Sequence, residues 1–320
     1  MGKQSSLRDI QAKFCPTLDP EFTPISLILK LARQCIADGT PSIELTISLE
    51  RLPGDQSVHK FAVPDPTNDK SGDVKRLVER VCKFLLWQQG ASRVGVHSSD
   101  GNDLLAKYLK KIYSTNGPRA FDADMMHKAF GTPLVFESLD SCEIETTNAS
   151  KTIGGNLDGC RIGFDLGASD YKLAAVQDGE PIFTTEIPWN PRVESDPDWH
   201  RHKINEGLKQ AAEKLPRVDA IGGSSAGIII NSEPRVASLF RSVPENLFVK
   251  KVRPIFRNLA KEWGVPFEVS NDGDVTALAG AMSLKTNGVL GLAMGSSQAV
   301  GFLDQQGKIT GWLNELAFSP

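Results

Sequence analysis

Two α/β domains joined by a polar linker are what this sequence predicts, and three observations predict them. Strand and helix periodicities alternate along the chain, a stretch from Cys160 reads βββαβαβα, and 320 residues allow two cores at about 150 residues each.

Residues 1–150 form the first domain, whose role the sequence does not assign. Thr23 caps a helix with Pro24 at its first position, Ile25, Leu27, Ile28, Leu31 and Ile36 recur with helical spacing, and Gly39 ends it. Ile43, Leu45, Ile47 and Leu49 alternate with polar residues and, across the Pro53-Gly54-Asp55 turn, meet His59 to Val63 in a β-hairpin. Asp73 caps a second helix carrying Val74, Leu77, Val78, Val81 and Leu85, and past Gln89-Gly90 comes a short strand, Arg93 to Val96. Ser98-Ser99-Asp100-Gly101-Asn102-Asp103 then opens a third helix, Leu104 to Tyr113. The amides of that loop can serve an anion, or the loop can be an ordinary βα turn with an Asp or Asn cap. From Thr115 the chain holds Pro118, Gly131 and Pro133 and runs into a polar stretch, Ser138 to Gly155, which reads as the linker.

The second domain begins with a meander: strand Arg161 to Leu166, a turn at Gly167-Ala168-Ser169-Asp170, strand Tyr171 to Val176, a turn at Asp178-Gly179, and strand Pro181 to Ile187. Helix Pro197 to Leu215, strand Val218 to Gly222, helix Phe248 to Trp263, strand Pro266 to Val269 and helix Asp274 to Leu284 complete a lobe over residues 158–286. Residues 287–320 start another meander, with strands Gly288 to Met294, Gln298 to Asp304 and Ile309 to Leu313. No helix covers this second meander, so a second lobe is read as incomplete, with ~100 further residues expected.

Composition narrows the function. Hydrophobic residues at 40% and charged residues at 23% exclude wholesale disorder. Lys and Arg number 36 against 39 Asp and Glu, so no bulk field draws the chain to nucleic acid or an anionic membrane. The longest apolar runs, such as Ile25 to Leu31, fall far short of the roughly 20 residues that span a bilayer. No secretory signal is read at the N-terminus, although Gly2 with Ser6 fits the short N-myristoylation pattern. Cys15, Cys35, Cys82, Cys142 and Cys160 are odd in number, widely spaced and lack a CxxC pair, which points to a reduced, cytoplasmic setting without disulfides or a zinc site.

The chemistry concentrates in the second domain. Asp165 ends the apolar strand directly before a glycine turn, where a carboxylate and exposed amides can hold hydrated Mg²⁺ and a phosphate; a plain hairpin would use the same residues. Ser270-Asn271-Asp272-Gly273 follows a strand and opens a helix, so Asn271 and Asp272 stand at the sheet edge where ligand sites lie. Asn271 also suits an N-cap, a task Asp274 can take instead.

This pairing resembles the actin, hexokinase and heat-shock chaperone superfamily, and within it the ROK family of sugar kinases and sugar-responsive repressors, over roughly residues 160–320. The resemblance implies an actin-like ATPase (ribonuclease H-like) lobe. In ROK kinases a DxGGT-like turn contacts ATP phosphates and the aspartate of an Asn-Asp pair deprotonates the attacking sugar hydroxyl. Carried over, Asp165, Gly167 and Ser169 contact the nucleotide, Asp165 also takes Mg²⁺, Asp272 is the catalytic base and Asn271 binds substrate. Ile221 to Gly227 is similar to the family's intervening strand and glycine-rich loop near the sugar, which assigns Gly223 and Ser224 to the substrate. Gly295 and Ser296 stand where the second phosphate loop belongs, and Glu315 where a glutamate binds sugar hydroxyls. Ala168 replaces a usual glycine, Gln298 and Ala299 interrupt the second loop, and Phe318 occupies the place of a sugar-binding histidine.

The function expected from this resemblance is a ROK-like hexose kinase that uses ATP and Mg²⁺, with nucleotide binding weakened by the altered second loop. The alternative is a non-catalytic sugar-sensing regulator or scaffold of the same fold. A small sugar is the expected partner. A membrane or nucleic acid is not, since residues 1–150 show no basic recognition helix, and a homo-oligomer is left open.

Overall fold

The computed structural model describes residues 13–14, 16–20, 22–69, 71–147, 155–295 and 297–320. The first twelve residues, with the Gly2/Ser6 pattern, and Ser296 lie outside the described residues. The chain divides into two compact units: one takes the described residues before 148 together with Glu315–Pro320, the other those from 155 to Asn314.

In the first unit, helix α1 (Ile25–Ala37) starts one residue later than expected, with Pro24 at the N-cap position. Strands β1 (Ser42–Leu52) and β2 (Asp55–Pro64) form the expected hairpin, and α2 (Asp73–Gln89) leads to β3 (Arg93–Ser98) and α3 (Leu104–Ile112). Leu45, Ile47, Leu49, Leu77, Leu86, Trp87, Val94 and Leu109 are among its buried side chains. The stretch from Thr115, to which the sequence pattern assigns no element, contains α4 (Ala120–Phe130) and β4 (Val135–Ser138), and the sheet order is β2-β1-β3-β4. Helix α4 escapes the pattern because one of its buried positions is polar: Asp122 accepts from Trp87 Nε1 at 2.7 Å and lies 3.4 Å from Lys83 Nζ. The loop before α3 is an ordinary capped turn. Asp100 and Asn102 accept from the backbone N–H groups of Asn102 and Leu104, so part of its donor set is already spent.

In the second unit, β5 (Cys160–Leu166), β6 (Asp170–Gln177) and β7 (Glu180–Pro188) form an antiparallel meander. Helix α5 (Pro197–Ala212) returns the chain to β8 (Ala220–Ser225), which pairs parallel with β5, and β11 (Phe267–Asn271) pairs parallel with β8. The sheet order β11-β8-β5-β6-β7, with the meander on one side and helix-linked parallel strands on the other, is that of an actin-like, ribonuclease H-like lobe. Ile162, Phe164 and Leu166 of β5 pack against Ile204 and Leu208 of α5 and against Phe256 and Leu259 of α7 (Ile255–Trp263).

Three expectations are corrected. The strand expected to end at Gly222 continues as β8 through Gly223 to Ser225, and a hairpin, β9 (Ile228–Ile230) and β10 (Glu233–Val236), follows it unannounced. The single helix expected over Phe248 to Trp263 is split into a short α6 (Glu245–Leu247), a π turn at Phe248–Val252 and α7, because Pro254 lacks the N–H that would continue the ladder. After α8 (Asp272–Leu284), β12 (Leu290–Met294) and β13 (Gln298–Phe302) pair, but Ile309 to Leu313 adds no third strand, only a bridge from Ile309 to Leu303. Gly311 at φ +69° and Asn314 at φ +52° interrupt the extended run, and Trp312 stacks on Phe302 instead, ring centroids 5.6 Å apart.

Candidate active site

Strand alternation and register assemble the site. Helices α5 and α7 pack on one face of the five-stranded sheet, where Phe164 and Leu173 point, so Asp165 at the next position of β5 must point to the other. Across that other face, register sets Ser270, Ser224, Asp165, Lys172 and Glu186 in one row on β11, β8, β5, β6 and β7. The row below holds Gly222, Gly163, Ala174 and Thr184. Those residues are small, and a Cβ added at Gly163 or Gly222 would meet nothing within 4 Å. The result is an open cavity of about 550 Å³ lined by Gly163, Asp165, Lys172, Ala174, Thr184 and Glu186, among others.

Asp165 is held at the rim of this cavity by Ser224, whose Oγ donates to its Oδ1 at 2.6 Å. Asp272 opens α8 at the end of β11, also at the carboxyl end of the strands. Its acid group is pushed up from the ordinary range chiefly by burial and then by the negative charge of Asp165, against the pull of the Gly273 amide, which donates to its Oδ1 at 3.1 Å. The charge of Asp165 therefore reaches Asp272. Asn271 is the N-cap of α8: Oδ1 accepts from Gly273 N–H at 2.7 Å, while Nδ2 donates to the Gly227 carbonyl at 2.8 Å. Both arms of its amide have protein partners.

The hairpin β12–β13 lies directly on the first turns of α8. A Cβ at Gly273 would meet the Val300 carbonyl oxygen at 2.4 Å, and one at Gly291 would meet Ala277 Cα at 2.6 Å. Since Val300 and Gly301 abut Gly273 and Asp274, the tip at Gly295, two pairs beyond Val300, projects past the start of the helix. Gly295 is exposed, and its N–H donates to the Ser297 carbonyl at 3.0 Å.

The first turn carries its own anion. Gly167 N–H donates to the Asp170 carbonyl at 2.9 Å, Ser169 Oγ donates to Asp170 Oδ2 at 3.2 Å, and Trp189 Nε1 donates to the Gly167 carbonyl at 3.0 Å. Asp170, paired with Lys172 at 3.2 Å, thus stands beside amides that the sequence offered to a phosphate.

The structure brings Asp165, Ser224, Asn271 and Asp272 together at one end of the sheet. Gly223 instead faces the Phe164 ring on the packed side, where a Cβ would come within 2.2 Å of a ring carbon. Glu315 belongs to the first unit, its N–H bonded to the Trp87 carbonyl at 2.9 Å, and Phe318 stacks on Trp87 at 4.5 Å. Sequence reading missed Gly163, Gly222, Lys172 and Glu186, although Gly163 and Gly222 are two residues from Asp165 and Ser224, Lys172 is one register step from Asp165 and Glu186 one step more. It gave Asp274 only a capping role; that side chain is 8% exposed and lies beside Asp272.

The donor set suits Mg²⁺, which takes one or two carboxylates and completes its shell with water and phosphate oxygens. Among the described residues no group of three or more His, Cys, Asp or Glu is arranged to hold a metal, so a metal would have to be shared with a ligand. Among them, too, no helix is long and apolar enough to cross a membrane.

No protein-family model matches the sequence, and no curated protein does. Three solved structures similar to it are a glucokinase from Parabacteroides distasonis (17% identity, 49% of this chain and 47% of that chain, TM-score 0.37), a ROK family transcriptional regulator homologous to the E. coli MLC protein (18%, 65% and 48%, 0.39) and a ROK hexokinase from Thermus thermophilus (19%, 47% and 47%, 0.35). The chain spans about half the length of each. Likeness this slight leaves the fold to be read from strand order and pairing, and these make the second unit an actin-like lobe.

Proposed function

We propose that the second unit handles phosphoryl transfer from ATP to a sugar hydroxyl, as a ROK-like hexose kinase lobe does. The observation that carries this reading is the pair Asp165 and Asp272 at the carboxyl end of one sheet, on β5 and just past β11 with β8 between them, the first hydrogen-bonded to Ser224 and the second raised in proton affinity. Mg-ATP, when bound, supplies the electrophilic γ-phosphate and the charge that screens it. Asp165 offers an oxygen to the hydrated metal, with Ser224 fixing its orientation. Asp272 accepts the proton of the attacking hydroxyl; burial and the charge of Asp165 lift its proton affinity toward the range where such a transfer is efficient. The helix α8 amides and the Gly295 tip frame the same end of the sheet.

A second reading, a sugar sensor without turnover, is favoured by the occupied first turn, where the Asp170 backbone carbonyl already takes the amide of Gly167 and its carboxylate the hydroxyl of Ser169. The deciding experiment measures hexose-dependent ADP formation by the chain and by Asp272→Asn. Kinase function predicts turnover that falls at least about a hundredfold in the variant. Hexose binding by calorimetry with no ADP formed would establish the sensor, and neither signal would remove both readings.

A further inference from the structure

We propose that Arg235, Arg253 and Arg257 form a phosphate-binding site at the outer edge of the second unit, serving the dianionic phosphoryl group of a small phosphorylated metabolite. The proposal does not depend on the kinase reading. It starts from the β9–β10 hairpin, which hangs on β11 at two points. Asn271 Nδ2 holds the Gly227 carbonyl at the hairpin's entry; at its turn Ser232 Oγ accepts from Val269 N–H at 3.0 Å and donates to Glu268 Oε2 at 2.9 Å. A hairpin fixed at entry and turn is a rigid platform.

On this platform Glu233 is gripped from two sides. Arg235 Nη2 lies 3.0 Å from its Oε2 and Arg257 Nη1 2.9 Å from its Oε1. Arg253 is the third cation. Burial lowers the proton affinity of Arg235, Glu233 opposes this, and the charges of Arg253 and Arg257 lower it further, so each of the three acts on Arg235. Three guanidiniums against one carboxylate leave a local charge of +2.

An ion-pair staple between β10 and α7 explains Glu233 with Arg235 and Arg257. It does not explain Arg253, nor the Nε–H groups of Arg235 and Arg253, which are buried without a hydrogen-bond partner. Arg253 also follows the π turn at Phe248–Val252, a rare conformation frequent at functional sites, which together with Pro254 sets where this arginine emerges. A phosphate dianion supplies what the cluster lacks: two negative charges and several acceptor oxygens matched to guanidinium forks. Glu233 is the resident anion that half-fills its place. The side chains of Arg235 and Glu233 are only 19% and 17% exposed, a recessed geometry that suits a small anion better than a nucleic-acid backbone.

The test is calorimetric titration of the full chain with inorganic phosphate and, separately, glucose 6-phosphate, at ionic strength held constant with KCl. Saturable binding is expected, weakened at least about tenfold by Arg235→Gln and by Arg257→Gln, and tightened by Glu233→Gln, which removes the competing carboxylate. Arg257, with a side chain 58% exposed, can be changed with little risk to folding, and circular dichroism checks each variant. Tighter binding of glucose 6-phosphate supports a phosphorylated metabolite as ligand, and equal binding supports free phosphate. Asp272→Asn is expected to leave the affinity for inorganic phosphate unchanged; loss of phosphate binding there would move the anion to the Asp165 cleft and overturn the proposal. So would absence of saturable heat, affinities unaltered by both arginine variants, or stronger binding of a single-stranded oligonucleotide than of either phosphate.

Discussion

Asp274 and Asp272 occupy the same turn of α8, yet their surroundings separate them. Asp274 is pushed up to about 7, first by burial and then by the charge of Asp272, with the Asn314 amide pulling the other way. Because its folded value lies above the ordinary 3.8, the native state holds a proton that the unfolded chain releases between those two values. Stability from this group is therefore complete below about pH 4 and declines as pH rises toward about 7. Asp274→Asn mimics the neutral acid and should raise the melting temperature at pH 8 while changing it little at pH 4; an equal shift at both pH values would count against the burial argument. Asp165 was legible in the sequence because it ends an apolar strand before a glycine turn, and Asp272 because it stands where a strand gives way to a helix. The burial of Asp274 was not, since it depends on β13, some 25 residues further along.

Between elements, the tightest join is α8 against its hairpin. A Cβ at Gly301 would come within 2.2 Å of the Gly273 carbonyl oxygen and 2.4 Å of Asp274 Cα, both backbone, so neither can swing aside. Gly301→Ala should destabilise the second unit by roughly 1–3 kcal/mol in denaturant unfolding. Gly222→Ala is its control: the open side of β8 offers the new methyl nothing within 4 Å, and the midpoint should stay or rise slightly. A larger loss at Gly222 than at Gly301 would reverse the assignment of packed and open faces. The strands of the meander, together with α5, β8 and β11, could be read from periodicity, but the β9–β10 hairpin could not. Its strands are three and four residues long, one contains a proline, and they gain their order by lying on β11 and by the Glu233–Arg257 pair to α7.

At the scale of the molecule, the first unit borrows its last piece from the far end of the chain. Trp87, buried on α2, stacks on Phe318 with centroids 4.5 Å apart and an interplanar angle of 22°. Phe318→Ala should cost the first unit about 1 kcal/mol, seen as faster amide exchange along α2 with β5 and β8 unchanged. Unchanged exchange in α2 would show that this aromatic contact is incidental. Nothing in the local pattern of Asn314 to Phe318 announces this partnership, because it is a contact across more than two hundred residues of sequence. The arrangement also sets an order on the ribosome. At translation rates of about 5–20 residues per second, the start of the first unit must wait on the order of ten seconds or more, while the whole of the second unit is made, before Phe318 emerges. Of the two units, the one whose synthesis starts earlier is thus the one that finishes later, and the β5–β8 sheet is free to fold while Trp87 still has an uncovered face.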